Sequence, residues 1–197
     1  MLMRLCPIFA KRHRNPLKFH ASCCVILLVF VGLTTASAGE DDGFIDKIKV
    51  AFTYKIISFI ELTDTAANES RGSVSICVIA GNQLDRLFAD LDGKEVNGHE
   101  IKVLFLTQSP KAADHCGVLY IGNSEESHLP QILQQIASLN EMLTVSDMNR
   151  FARLGGMVEL RVLENNVRME INVSNVTKIG IRISSKLLEV ANIVPGD

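Results

Sequence analysis

Residues 74–107 read VSICVIAGNQLDRLFADLDGKEVNGHEIKVLFLT. Val74–Ala80 is almost wholly apolar and rich in β-branched side chains, the pattern of a strand buried on both faces. Asn82 is placed to cap the next segment, where Leu84, Leu87, Phe88 and Leu91 repeat at helical spacing. Gly93 ends that helix, Asn97-Gly98 forms a tight-turn pair, and Ile101–Thr107 is a second apolar strand. Buried strand, helix, buried strand is the unit from which parallel sheets covered on both faces are built.

The alternation continues downstream. Val118–Ile121 is a third short strand, followed by Gly122-Asn123-Ser124 and a helix carrying Leu129, Ile132, Leu133 and Ile136. Met142–Val145 is a further strand and leads into Ser146-Asp147. Near the C-terminus, Val158, Leu160 and Val162, then Val167, Met169 and Ile171, occupy alternating positions on either side of Glu164-Asn165-Asn166. That is a β-hairpin, with a polar Asn pair that tolerates the positive φ of a tight turn. A helical segment follows it and ends in Arg182-Ile183-Ser184-Ser185-Lys186-Leu187-Leu188. Upstream, Phe44–Leu62 carries apolar residues at 44, 45, 48, 51, 52, 56, 59 and 60, an amphipathic helix with Lys47, Lys49 and Lys55 off its buried face. Thr63–Gly72 is polar and reads as a loop. The fold expected is α/β: a three-layer α/β/α sandwich with a mostly parallel sheet and a C-terminal hairpin adding antiparallel character at one edge.

The first 38 residues read differently. Arg4, Lys11, Arg12, Arg14 and Lys18 precede an apolar run, Cys23–Leu33, and Thr34-Thr35-Ala36-Ser37-Ala38. A basic head, a short apolar core and an Ala-x-Ala site describe a secretory signal peptide cleaved after Ala38. The apolar run is shorter than the roughly 20 residues a membrane anchor needs. Cys23 and Cys24 precede the apolar core, so they do not form a lipid-attachment site. Residues 39–197 are then expected to make one exported domain, long enough for a proper core. Removing five basic residues leaves 15 basic against 22 acidic, a net −7. With no basic cluster left, nucleic acid is not an expected partner, and adsorption to anionic lipid is disfavoured. A protein partner fits that surface better.

No motif of catalysis emerges. There is no G-x-S-x-G elbow, no Walker sequence and no dinucleotide fingerprint. Asp147 follows a strand end, a position equally suited to catalysis and to capping the next turn. His115-Cys116 with His99 and His128 match no zinc-ligand spacing, so no metal or other cofactor is expected. Gly81 and Gly122 end two strands, where such sheets place ligand loops, although glycine also suits a tight strand-to-helix turn. Cys77 and Cys116 are the cysteines of the exported portion. An even count in an oxidising compartment suggests a disulfide; two buried free thiols are the alternative.

Several short blocks appear in a definite order: Ala51-Phe52-Thr53-Tyr54, Ser58-Phe59-Ile60-Glu61, Cys77–Gly81, Gly93-Lys94 with Val96-Asn97-Gly98, Cys116–Gly122, Leu143–Asp147, Phe151-Ala152 with Gly155-Gly156-Met157, and Arg182–Leu188. In that order and spacing the chain resembles the YfiR-like family, exported bacterial proteins that hold an inner-membrane diguanylate cyclase in check. Relatives usually continue with Trp-Pro after the Glu of the first helix; this chain has Leu62-Thr63 and no Trp. The resemblance implies a periplasmic, non-enzymatic repressor that binds the cyclase's sensor domain and lowers cyclic di-GMP. It also favours the Cys77–Cys116 bridge. Candidate partner-binding residues are Tyr54, Phe59 and Glu61 on the first helix and Arg182, Ser184, Ser185 and Lys186 in the terminal block. Arg182 and Lys186, four apart, would share one helix edge. The hairpin face carrying Glu170 and Asn172 offers an edge at which two copies could pair as a homodimer. The rival reading is a small-molecule sensor whose pocket lies at Gly81-Asn82 and Gly122-Asn123-Ser124.

Overall fold

The computed structural model describes residues 39–61, 72–107, 113, 115–139, 141–164 and 166–195. The expected signal peptide and most of the 63–72 loop lie outside these residues. The described residues belong to one compact unit, Gly39–Asp197. In chain order it comprises α1 (Gly39–Ser58), β1 (Ile60–Glu61), β2 (Ser73–Ile79), α2 (Asn82–Ala89), β3 (Glu95–Val96), β4 (His99–Phe105) and β5 (Val118–Ile121). A 3-10 turn (Asn123–His128), α3 (Leu129–Ile136), β6 (Leu143–Ser146) and a second 3-10 turn (Phe151–Arg153) follow. The chain then runs through β7 (Val158–Leu163), β8 (Asn166–Asn172), α4 (Val173–Lys178), β9 (Arg182–Ile183), α5 (Ser185–Val190) and β10 (Asn192–Val194).

Eight strands form one mixed sheet in the order β10-β8-β7-β6-β5-β2-β4-β3. β4, β2, β5, β6 and β7 are mutually parallel along this row. Every residue of β2, β5 and β6 is buried, which is why these strands read as continuous apolar runs instead of alternating ones. One face packs against α1, α2, α4 and α5 through Ile56, Phe88, Val118, Tyr120, Leu160 and Leu187. The other packs against α3 and the Phe151 turn through Ile79, Leu119, Ile132, Met148 and Phe151. The α/β/α sandwich is therefore as expected. Phe88 of α2 meets Tyr120 of β5 with ring centroids 4.6 Å apart and tilted by 52°, a contact contributing about 0.5–1.5 kcal/mol beyond its burial. On the α3 face a disulfide joins Cys77 of β2 to Cys116 at the entrance of β5, with Cα atoms 5.8 Å apart.

Several local readings shift. Asn97 (φ 53°) and Gly98 (φ 82°) turn β3 back onto β4 as an antiparallel pair, as their chemistry suggests. In the terminal hairpin Val158 pairs with Ile171, Leu160 with Met169 and Val162 with Val167, while Glu164 takes the positive φ of 48°. The hairpin is not the sheet's edge, because β10 adds to β8 in parallel. Glu170 and Asn172 are buried, and the β8 edge is already occupied, so the hairpin face does not offer two copies a free edge. Gly81 rather than Asn82 occupies the cap position of α2. The first helix ends at Ser58, and its buried stripe runs Ile45, Val50, Thr53, Ile56 and Ile57, leaving Phe44 60% exposed. Thr53 fits that stripe because its hydroxyl donates to the Lys49 carbonyl one turn back, 2.9 Å away. The segment after the hairpin is not one helix. Gly180 (φ 81°) closes α4, and Arg182 lies in β9, so Arg182 and Lys186 do not share a helix edge.

Candidate functional site

Two of the surface clefts lined by polar side chains are touched by α1. The first lies at the C-terminal end of α1. Phe59 leaves the helix, and β1 pairs antiparallel with β9 so that Ile60 faces Ile183 and Glu61 faces Arg182. The Ser184 amide donates to the Phe59 carbonyl (2.9 Å), closing the pair. Ser184 then caps α5, its Oγ accepting the Lys186 amide at 3.3 Å. This small two-stranded sheet stands apart from the main one and brings together segments more than 120 residues apart in the chain. Phe59, Ile60, Glu61, Asn97, Arg182, Ile183, Ser184 and Lys186 line a cleft of about 420 Å³.

Five of the seven partner-binding residues expected from sequence thus meet at one place: Phe59, Glu61, Arg182, Ser184 and Lys186. Ser185 is exposed at the first position of α5 beside them. Tyr54 sits farther back on α1, outside the cleft lining, and its hydroxyl donates to the Glu95 carbonyl of β3 at 2.8 Å. That bond ties the helix to the β3–β4 pair. Arg182 Nε lies 3.3 Å from Glu61 Oε2, with side chains 84% and 72% exposed. An ion pair that open is worth at most about 1 kcal/mol, so it adds little to the fold and leaves both charges accessible. Phe59, 36% exposed, is the apolar member.

The second cleft lies at the C-terminal ends of β5, β6 and β7. Helices α2 and α3 leave neighbouring strands β2 and β5 for opposite faces, the arrangement that opens a crevice at the carboxyl end of parallel sheets. Gly122 is required there, since a Cβ would come within 2.8 Å of the Ala80 Cα and Cβ. Ser124 Oγ donates to the Ala80 carbonyl at 3.1 Å and holds the two loops together. The centre is Asp147. One carboxylate oxygen accepts the Asn123 amide (2.8 Å) and the other accepts Lys49 Nζ (2.7 Å). Lys49 also donates to Asp46 at 2.9 Å, and Gln83 donates to the other Asp46 oxygen at 3.2 Å. Lys49 is therefore half-buried, not on the outer face of α1 as its spacing suggested. Burial works against its charge, but the hydrogen bonds and charges of Asp147 and Asp46 prevail and hold its pKa above the ordinary lysine value. Behind it the Tyr120 hydroxyl is fully buried without a hydrogen-bond partner among the described residues. Burial, reinforced by the negative charges of Asp147 and Asp46, pushes its pKa well up, so it stays a neutral phenol.

Because β7 runs past the end of β6, Arg161, Val162 and Leu163 form the far wall of this second cleft, which measures about 460 Å³. Arg161 Nη1 donates to Glu170 at 2.8 Å, and its Nε lies 3.6 Å from Glu159. Glu159, fully buried, accepts the amides of Arg150 (3.0 Å) and Ala152 (3.3 Å). Burial raises its pKa, and those two amides offset part of the shift. Burial acts the same way on Glu170, but Arg161 and Asn192 outweigh it and leave its pKa below the usual value. Asn172 donates to the Ala152 carbonyl (3.0 Å), and Asn175 donates to the Gly155 carbonyl (3.1 Å). The Phe151–Met157 block is thus an architectural corner that seats the hairpin. Of the pocket loops expected for a small-molecule sensor, Asn123 lines this cleft and Gly81 does not. The Lys49–Asp147 and Arg161–Glu170 pairs were missed at sequence level. The one hint was a pair of charged residues, Glu159 and Arg161, alternating inside an apolar strand.

Lys49 is held charged between two carboxylates, and Cys116 is committed to the disulfide instead of a metal-ligand thiolate. A search of curated proteins finds no match. Among solved structures, the chain is similar to the ABC domain in complex with L-Trp from Streptococcus pneumonia, at 9% identity and a TM-score of 0.47. That match covers 76% of this chain and 60% of the other. A family model described as YfiR/HmsC-like matches residues 46–192, from within α1 to the start of β10, and the chain belongs to that family.

Proposed function

We propose that this protein is a periplasmic regulator that binds the sensor domain of an inner-membrane diguanylate cyclase and represses it, lowering cyclic di-GMP. Residues 1–38 act as its signal peptide and residues 39–197 as the working domain. The observation that carries the reading is family membership across nearly the whole compact unit. Supporting it, five of the seven residues singled out by the family blocks line the cleft between β1 and β9. That cleft offers an apolar centre, Phe59 and Ile183, with an accessible acid and two accessible bases at its rim, the composition of a protein-binding surface. Among the described residues no helix is long and apolar enough to cross a membrane.

Calorimetry of the purified protein, disulfide intact, against the periplasmic domain of a diguanylate cyclase from the same organism tests this. Micromolar or tighter binding is expected, with Arg182→Glu or Lys186→Glu weakening it by roughly tenfold or more. The double swap Glu61→Arg with Arg182→Glu preserves the local ion pair while inverting what a partner meets. It should weaken binding as much as the single change, and an unaffected swap would move the interface elsewhere. No binding to any such domain would sink the repressor assignment.

A further inference from the structure

We propose that the cleft at the carboxyl ends of β5, β6 and β7 is a second binding site, for a neutral, hydroxyl-rich ligand of the sugar or polyol class. Its volume of about 460 Å³ falls in the range of small-molecule sites, roughly 300–1,000 Å³. Hydrogen-bond bookkeeping selects the ligand class. Each charge lining the cleft is already matched inside the protein: Lys49 by Asp46 and Asp147, Asp147 by Lys49 and the Asn123 amide, Arg161 by Glu170 and Glu159. A charged ligand therefore finds no unpaired counter-charge in the lining, whereas a neutral one needs none.

What the cleft has in surplus is neutral. Asn123 and Asn149 are exposed, and among the described residues their carboxamides have no hydrogen-bond partner. Each presents a donor and an acceptor together, the complement of a hydroxyl group, which is also both. Val162 and Leu163, 42% and 45% exposed, add an apolar wall on the overhanging end of β7, suited to the C–H face of a sugar ring. Matched charges, paired amides and one apolar wall together describe a site for a neutral ligand that gives and accepts hydrogen bonds.

The test is calorimetry of the purified protein with D-glucose, maltose and N-acetylglucosamine, and with succinate and spermidine as charged comparators, followed by side-chain amide NMR. Saturable binding of at least one neutral sugar at millimolar concentration or below is expected, with shifts at the Asn123 and Asn149 carboxamides. Asn149→Ala and Asn123→Ala should each weaken it roughly fivefold, the loss of a neutral hydrogen bond. Both positions are exposed, and the Asn123 backbone amide that anchors Asp147 survives the change, so folding should not be affected. Stronger binding of succinate or spermidine overturns the charge argument. No saturable response to any of the three sugars, or sugar binding indifferent to both alanine variants, overturns the site.

Discussion

Gly156→Ala is the substitution whose cost the structure sets most directly. A Cβ at this position would lie within 2.5 Å of three ring atoms of Phe151, against an ordinary carbon–carbon contact of about 3.5–4.0 Å. The ring would have to retreat by about 1 Å. It has nowhere to go, since Phe151 is fully buried in the cluster of Ile79, Leu119, Ile121 and Met148. Overpacking of this kind costs about 1–3 kcal/mol, partly offset by the few tenths gained when a glycine is removed from the unfolded chain. Urea unfolding should therefore show a loss of about 1–2.5 kcal/mol, a fall in Tm of roughly 3–8 °C for a domain of this size. A double-mutant cycle isolates the cause. Phe151→Ala alone is strongly destabilising, about 3–5 kcal/mol, but in its background Gly156→Ala should cost nothing further, a coupling of at least ~1 kcal/mol. Additive losses in the cycle, or a Gly156→Ala protein as stable as the parent, would refute the reading that Gly156 lacks a side chain in order to seat this ring.

Three other perturbations follow from the same geometry. Reducing the Cys77–Cys116 bridge, which closes a loop with a sequence separation of 39, should lower unfolding free energy by about 4 kcal/mol in the chain-entropy model; a loss under about 1 kcal/mol in matched oxidised and reduced samples would contradict it. Asp147→Asn leaves Lys49 with Asp46 as its one carboxylate partner and should cost about 2–3 kcal/mol, below the cost of breaking a wholly buried pair because Lys49 keeps some solvent contact; a Cm within error of wild type would count against a supporting role. The pH dependence of Glu170 has a definite sign. Its folded pKa is depressed, so its contribution is present above the usual glutamate pKa and fades as pH falls through the folded value; Glu170→Gln should be less stable than wild type at neutral pH and converge with it in acid. Glu159, with its pKa raised by burial, works in the opposite direction, so Glu159→Gln should not reproduce that convergence.

Sequence by itself determined the layers and most of the strands. Val74–Ala80, Val118–Ile121 and Met142–Val145 are short apolar runs that only burial on both faces explains, and the Asn97-Gly98 turn and the Val158–Ile171 alternation depend on local stereochemistry. These signals act over a few residues, so a single chain displays them. Tertiary structure alone decided the rest, because each remaining feature joins segments whose separation no local period encodes. Lys49 looked like a solvated lysine until Asp147, 98 positions away, was brought beside it. Arg182 looked helical until pairing with Glu61 made it a strand, since two residues of backbone ladder outweigh a weak helical preference. The hairpin looked like an edge until β10 returned to cover it, filling the hydrogen-bonding row of β8 that would otherwise have stood open. The two clefts have the same origin. Their linings come from separate elements, and their volumes arise from how far β7 overruns β6 and where α1 stops, which are properties of packing and register that a sequence carries only implicitly.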